Sequence, residues 1–542
     1  MSTLFDPLKL SYPSRRYPIY AKGGMVNCSC PQASAAGLEA LRRGGNAMDA
    51  AVAAAAALTV TEPTANGLGS DAFAILWSEK DQKLYGLNSS GKSPALISPE
   101  QLDKDGLGRD GKMPRYGWAP VTVPGAVKAW AELNRRFGRL KLEEVLKPAI
   151  RYAAEGYPCS PAISSAWEKA FVLYQKELKA PCFEEWFRTF APKGRAPLPG
   201  EPVRLPDHAA TLEEIAQSRG ESFYSGRLAR QMDAESRKYG GYLRYEDLAA
   251  HEVLWVEPLK LSYRGFEVCE LPPNGQGIVA LMALNLLNQF RLTEKESVET
   301  YHRQIEAMKM SFADAFHFVT DPAHMQADPQ DYLQESYARA RAAEMQDRAK
   351  VWSHGTPPKS GTVYLCCADG EGNMVSYIQS NYMGFGSGIV VEGTGIALQN
   401  RGADFSLNPA NINFLRPGKR SYHTIIPGFL MKDGKPLGPF GVMGGYMQPQ
   451  GHVQVISNLL DFHLNPQQAI DAPRWQWMRE GHVTMEPGFA PEIIEGLRQR
   501  GHQIEISENT ASFGRGQMIL RQPEGVLVGG TESRTDSNIA CF

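Results

Sequence analysis

The chain has 542 residues, 43% of them hydrophobic and 21% charged, with a formal net charge of -2. That balance allows a large core and excludes a binder of nucleic acid or anionic membrane driven by charge, so the expected partner is a small molecule. Eight cysteines, at positions 28, 30, 159, 182, 269, 366, 367 and 541, form no zinc or redox motif and are expected as buried reduced thiols. Arg15-Arg16 has the look of a twin-arginine export signal, but Pro18 to Gly24 interrupts the apolar stretch such a signal needs. The longest apolar run, Ala50 to Val60, is shorter than the roughly 20 residues that span a bilayer. A cytoplasmic protein is expected.

In chain order, residues 25 to 30 read as a short strand and Pro31 to Arg43 as an Ala-rich helix stopped by Gly44-Gly45-Asn46. A second helix is expected from Ala47 to Val60, ended by Glu62-Pro63. Asn66 to Asp71 reads as a tight turn, because it lacks the G-x-x-x-x-G-K-[ST] spacing of a phosphate loop. Strands are expected over Ala72 to Ser78 and Leu84 to Ser90, mostly helix over 125–220, one strand-like stretch over Leu259 to Glu270, and helices over Ile278 to Phe290 and Val298 to Val319. Residues 329–350 have a helical period, and Ser353 to Gly361 has the composition of an exposed loop. Strands fall in two parts of the chain with helices between them, the pattern of a layered α+β or α/β body.

The stretch after that loop carries the chemistry. Thr362 to Ala368 and Met374 to Ser380 are β-branched, aromatic and apolar, and Asp369-Gly370-Glu371-Gly372-Asn373 between them makes the pattern a β-hairpin. A symmetric register sets Ala368 opposite Met374 and Thr362 opposite Ser380, so two hydroxyls meet at one end. A threonine at a chain start is a nucleophile whose own α-amine, with a pKa of about 7.7 to 8.0, takes the hydroxyl proton. Thr362 gains that amine when the Gly361–Thr362 bond is cut. Attack of its hydroxyl on the Gly361 carbonyl, giving an ester that water opens, cuts the bond without a second protease. Ser380 is placed to orient Thr362. Gly444-Gly445 is either a plain turn or a pair of backbone donors for an oxyanion. Arg401 and Asp404 share one loop, as a surface ion pair or as a clamp for a carboxylate and an ammonium group. His423, beside Thr424, has no G-x-S-x-G elbow to serve and reads as a pocket-lining or satisfied core residue. The 11 histidines show no metal-binding spacing, so neither metal nor cofactor is expected.

Several dispersed motifs, in order and over nearly the whole chain, resemble the γ-glutamyltranspeptidase family of N-terminal nucleophile hydrolases. They are Arg43-Gly44-Gly45-Asn46-Ala47-Met48-Asp49-Ala50-Ala51-Val52, Val123-Pro124-Gly125, Leu271-Pro272-Pro273-Asn274, Gly361-Thr362 with its hairpin, Phe385-Gly386-Ser387-Gly388, Asp404-Phe405 and Gly444-Gly445. The resemblance implies an α+β fold, a four-layer αββα sandwich made by one precursor cleaved into a large chain, 1–361, and a small chain, 362–542. It implies Thr362 as nucleophile, Ser380 as the hydroxyl beside it, and Gly444 and Gly445 as oxyanion donors. It further implies Asp404 as the acid that holds a substrate α-amine, with Lys92 near the arginine that grips the α-carboxylate. Where the transpeptidases have Asn, Gln and a Ser-Ser pair for the glutamyl group, this chain has Tyr382, Arg401 and His423-Thr424, which resembles the acylase and amidase branch. The expected function is hydrolysis or transfer of γ-glutamyl groups from small amides such as glutathione. The alternatives are an acylase on another carboxylate-bearing amide, of glutaryl, cephalosporin or oxamate type, and a non-catalytic relative that only binds ligand.

Overall fold

The expected hairpin is formed by the strands Val363–Asp369 and Met374–Ser380, in the expected register, with Ala368 opposite Met374 and Val363 opposite Gln379. Asp369 closes its turn by accepting the N–H groups of Glu371, Gly372 and Asn373 on Oδ1, the local hydrogen bonding that suits Asp to turns. Side chains alternate across the strand: Val363, Leu365 and Cys367 pack with helices, whereas Tyr364, Cys366 and Ala368 pack against a second sheet. The adjacent cysteines therefore point apart, and all eight cysteines are free. The computed structural model describes Tyr12, residues 16–352 and residues 362–542; the loop expected from Ser353 to Gly361 lies outside the described residues.

The hairpin sits at the centre of a seven-stranded antiparallel sheet in the order Asn538–Cys541, Gly24–Cys28, Val363–Asp369, Met374–Ser380, Asp71–Ser78, Lys83–Ser89 and Leu254–Val256. The second sheet runs Ile19–Ala21, Leu527–Thr531, Arg515–Arg521, Lys435–Met443, Gly428–Lys432, Phe266–Glu270 and Leu259–Tyr263, also antiparallel. Helices Pro31–Arg42, Ala47–Thr61, Ala126–Phe137 and Leu142–Glu155 cover the first sheet, and Gly277–Leu287, Val298–Phe318 and Met447–Leu460 cover the second. The layers are αββα, as expected.

The helix Ala47–Thr61 shows how sequence builds a layer. Every residue is buried, and the small Ala side chains let the sheet and neighbouring helices approach it closely. Asn46 accepts the N–H groups of Met48 and Asp49, while Asp49 accepts that of Asn46, a capping box whose loss costs about 1 kcal/mol. Two expectations need correction. Leu259 to Glu270 is not one strand but a hairpin that reverses at Arg264-Gly265, with φ of +51° and +82°, as a two-residue turn of type I′ requires. Arg is not a usual turn residue, and here Asp461 holds the Arg264 Nε at 2.7 Å. Residues 329–350 contain only the 3-10 turn Pro329–Leu333 and the helix Glu335–Ala342. Among the described residues no helix is long and apolar enough to cross a membrane.

Candidate active site

Strand pairing assembles the first part of the site. Ser380 lies opposite Asp71 on one side, and Thr362 continues the hairpin register on the other. Directly opposed residues share a face, so Thr362, Ser380 and Asp71 form a row directed between the two sheets. All three are fully buried, and Thr362 Oγ1 is 3.2 Å from Ser380 Oγ. Ser380 Oγ also accepts the N–H of Tyr382 at 2.8 Å, and Gln448 Nε2 lies 3.5 Å from Thr362 Oγ1.

Gln448 stands in the first turn of Met447–Leu460, so its contact brings Thr362 to the Gly444-Gly445 corner, where strand Lys435–Met443 turns into that helix. The corner needs glycine: φ is +142° at Gly444 and +61° at Gly445, and a Cβ on Gly444 would lie 3.2 Å from Gly514 Cα. The Gly444 carbonyl accepts the Met447 N–H, and the Gly445 carbonyl accepts the Gln448 N–H and, at 2.8 Å, Gln276 Nε2. In a trans peptide the N–H points opposite to the C=O, so the Gly445 N–H is aimed outward from the helix start.

Arg401 is only 1% exposed, which removes the surface ion pair as an explanation. Its Nη1 donates to Thr424 Oγ1 at 2.9 Å, its guanidinium carbon lies 4.0 Å from the centre of the Tyr382 ring, and its Nε is 3.8 Å from Asp71 Oδ2. Nε and Nη2, the two donors of one guanidinium edge, have no hydrogen-bond partner among the described residues. Tyr382 adopts φ of +74°, and its hydroxyl and that of Tyr446 each donate to Asp404 Oδ1 at 3.0 Å. Asp404 Oδ2 is buried without a hydrogen-bond partner among the described residues. Burial raises the Asp404 carboxyl above its usual range, with Arg401 and the two phenols opposing. A cleft of about 700 Å³ opens onto Asp404, Tyr422 and Tyr446; Thr362, buried in the intact chain, does not line it.

His423 donates from Nε2 to Asp71 Oδ2 at 3.0 Å and accepts the Ile425 N–H at Nδ1, 3.4 Å away. Burial, helped by Arg401, holds the ring well below the usual histidine range, so it is neutral. With both nitrogens committed it is a satisfied core residue and not a general base. Burial pushes Asp71 up to about 7, against the pull of Arg401, the Gly91 N–H and Arg420. Lys92 is not brought into this cluster: its side chain is exposed, and the second cation near Asp71 is Arg420.

Sequence reasoning passed over Asp71, Gln276, Tyr446 and Gln448. The signal for Asp71 was a carboxylate entering an otherwise apolar strand, at the end of the Asn66–Asp71 turn. That turn also braces the site, since Ser70 Oγ donates to Asn381 Oδ1 at 2.9 Å and Gln379 Nε2 donates to Asn66 Oδ1 at 2.6 Å. Among the described residues one set of potential metal ligands, His302, Glu306 and His502, occurs elsewhere. These side chains are mostly engaged with protein groups: His302 Nδ1 and His502 Nε2 are 2.8 Å apart, His302 Nε2 bonds the Gln346 carbonyl, and Glu306 takes Lys309 and Trp352, while His502 Nδ1 has no hydrogen-bond partner among the described residues.

The chain is similar in fold and sequence to known proteins. The crystal structure of cephalosporin acylase from Bacillus halodurans superposes with a TM-score of 0.95 at 54% identity, covering 100% of this chain and 99% of that one. The glutathione hydrolase-like YwrD proenzyme of Bacillus subtilis is 36% identical over 93% of this chain and 95% of its own length. The oxamate amidohydrolase proenzyme of Klebsiella pneumoniae is 34% identical over 96% and 98% respectively. A model of the family described as gamma-glutamyltranspeptidase matches residues 33–542, and the chain belongs to that family.

Proposed function

We propose that the chain is an autoprocessing amidase that acts through a Thr362 acyl-enzyme. The observation that carries this reading is the Thr362–Ser380 hydroxyl pair beside the Gly444-Gly445 corner. In maturation the Thr362 hydroxyl attacks the Gly361 carbonyl, the peptide bond to the Thr362 nitrogen breaks, and water hydrolyses the ester, leaving a free α-amine. That amine then accepts the Thr362 hydroxyl proton as the hydroxyl attacks a substrate amide, the Gly445 N–H faces the oxyanion, and the amine half of the substrate leaves with the proton. The two chains, 1–361 and 362–542, stay together because the hairpin strands lie between Gly24–Cys28 and Asp71–Ser78. Eight free cysteines support a reducing, cytoplasmic setting.

The acyl group is small and carries a carboxylate, taken by the open Nε/Nη2 edge of Arg401, whose parallel donors match carboxylate geometry. Asp404 Oδ2 is the acceptor for an α-ammonium, so a γ-glutamyl group satisfies both. A glutaryl-type acylase is the second reading, favoured by the two phenols that already occupy Asp404 Oδ1 and by the likeness to a cephalosporin acylase. Denaturing electrophoresis tests the nucleophile: at 59.7 kDa for 542 residues, cleavage yields fragments of about 40 and 20 kDa, and Thr362→Ala leaves one band. Wild-type protein that stays whole yet hydrolyses amides refutes the assignment. Comparing γ-glutamyl- and glutaryl-p-nitroanilide separates the two substrates.

A further inference from the structure

We propose that Asp71 is a resident counter-ion for Arg401 that an incoming acyl carboxylate replaces, so that anionic substrates bind with uptake of one proton by Asp71. The inference rests on the reading that Arg401 receives the acyl carboxylate. Its basis is a contradiction in the cluster. Arg401 is buried and carries a full charge, yet the nearest carboxylate stops 3.8 Å from Nε, short of a hydrogen bond, and leaves the Nε/Nη2 edge open. Asp71 is held there by other groups: the Gly91 N–H on Oδ1 at 3.3 Å and His423 Nε2 on Oδ2 at 3.0 Å. It thus balances the guanidinium charge without occupying its donors.

A second carboxylate seated on that edge would lie beside Asp71, and two carboxylates that close do not both ionise cheaply in a buried site. Among the described residues the charged and titratable groups facing Asp71 are Arg401, Arg420 and His423, with Tyr224 more distant; maturation adds the Thr362 α-amine to the same row. His423 is neutral and the phenol stays protonated, so neither supplies the proton. The proton comes from solvent to Asp71, whose carboxyl already titrates near 7. The sign follows: below that value Asp71 is protonated and the edge is free for an anion, and above it binding requires proton uptake and weakens by up to about tenfold per pH unit. Asp71 is a positioning residue, touching Arg401 and not the substrate. It also ties the nucleophile row to Arg401 and His423, two of the positions at which this chain departs from the transpeptidase pattern.

The test uses the matured two-chain enzyme and the ratio of kcat/KM for glutaryl- to butyryl-p-nitroanilide between pH 6 and 8.5, where a glutaryl carboxylate is ionised; the ratio cancels titration of the nucleophile. In the wild type the ratio falls with pH above about 7. In Asp71→Asn it is independent of pH and equals the wild-type low-pH value. A flat wild-type profile, or an Asp71→Asn variant that loses the preference for glutaryl, overturns the proposal. If Asp71→Asn does not mature, the wild-type profile alone decides. Arg401→Gln separates the two layers: loss of the glutaryl preference together with a flat wild-type profile sinks only the counter-ion, whereas a retained preference, or no turnover of either anilide by the wild type, sinks the carboxylate reading and this inference with it.

Discussion

Gly444→Ala puts the oxyanion corner under direct test. At φ of +142° an L side chain is strained, at a cost of about 1–3 kcal/mol. The added Cβ would also stand 3.2 Å from Gly514 Cα and 3.3 Å from Met447 Cβ. The first of these is backbone, so the corner itself must give by a few tenths of an ångström. The peptide that shifts carries the Gly445 N–H, whose direction is set by the Gly444 carbonyl bonded to Met447. Removing one oxyanion donor costs about 2.7–4 kcal/mol, or 10²–10³ in kcat, and displacing one is expected to cost about 10². The assay is hydrolysis of glutaryl- and γ-glutamyl-p-nitroanilide, in which kcat falls while KM changes little. Self-cleavage passes through the same tetrahedral chemistry, so the uncut precursor should persist on denaturing gels. Prompt, complete cleavage with kcat within about threefold of wild type would refute the placement of the oxyanion donors.

Ser380→Ala removes the acceptor of the buried Tyr382 N–H as well as the hydroxyl beside Thr362; stability drops by about 1–3 kcal/mol and kcat by at least about tenfold, and unchanged unfolding and kcat would contradict it. Glu306→Ala strands the buried Lys309, paired with it at 2.6 Å, and costs about 3–5 kcal/mol in urea unfolding, most of it recovered by Glu306→Leu with Lys309→Met. Asp71 has a folded-state pKa of about 7 against an ordinary 3.8. Its contribution to stability is therefore fully present below about pH 4 and is lost as pH rises toward 7, at up to about 1.4 kcal/mol per pH unit. Asp71→Asn should flatten that part of the stability profile, and wild-type and variant curves that run parallel would count against the raised value.

Much of this molecule is local in origin and legible as such. The hairpin and its register follow from alternation and the Asp369–Asn373 turn, and the Ala47–Thr61 helix from its cap and Ala run. Gly444-Gly445 is legible as a turn or a donor pair, and the structure adds that it joins the strand Lys435–Met443 to the helix Met447–Leu460. The Leu259–Tyr263 and Phe266–Glu270 hairpin was hidden because a tertiary ion pair from Arg264 to Asp461 accompanies an unusual turn residue. The site divides in the same way. Thr362 and Ser380 could be paired by counting residues, because a two-residue period propagates along a strand. Lys92 could not be placed by counting, since a loop has no period; it is exposed, while Arg420 comes near Asp71. Asp71, 291 positions before Thr362 in the chain, joins its row only when Asp71–Ser78 pairs with Met374–Ser380. Through short-range periodicity and turn chemistry the sequence alone set Thr362 opposite Ser380 and separated strands from helices, while the four-layer order was what the family resemblance implied. Only the tertiary structure decided which charges surround the candidate site, because burial and long-range strand pairing set the neighbours of Arg401, Asp404 and Asp71.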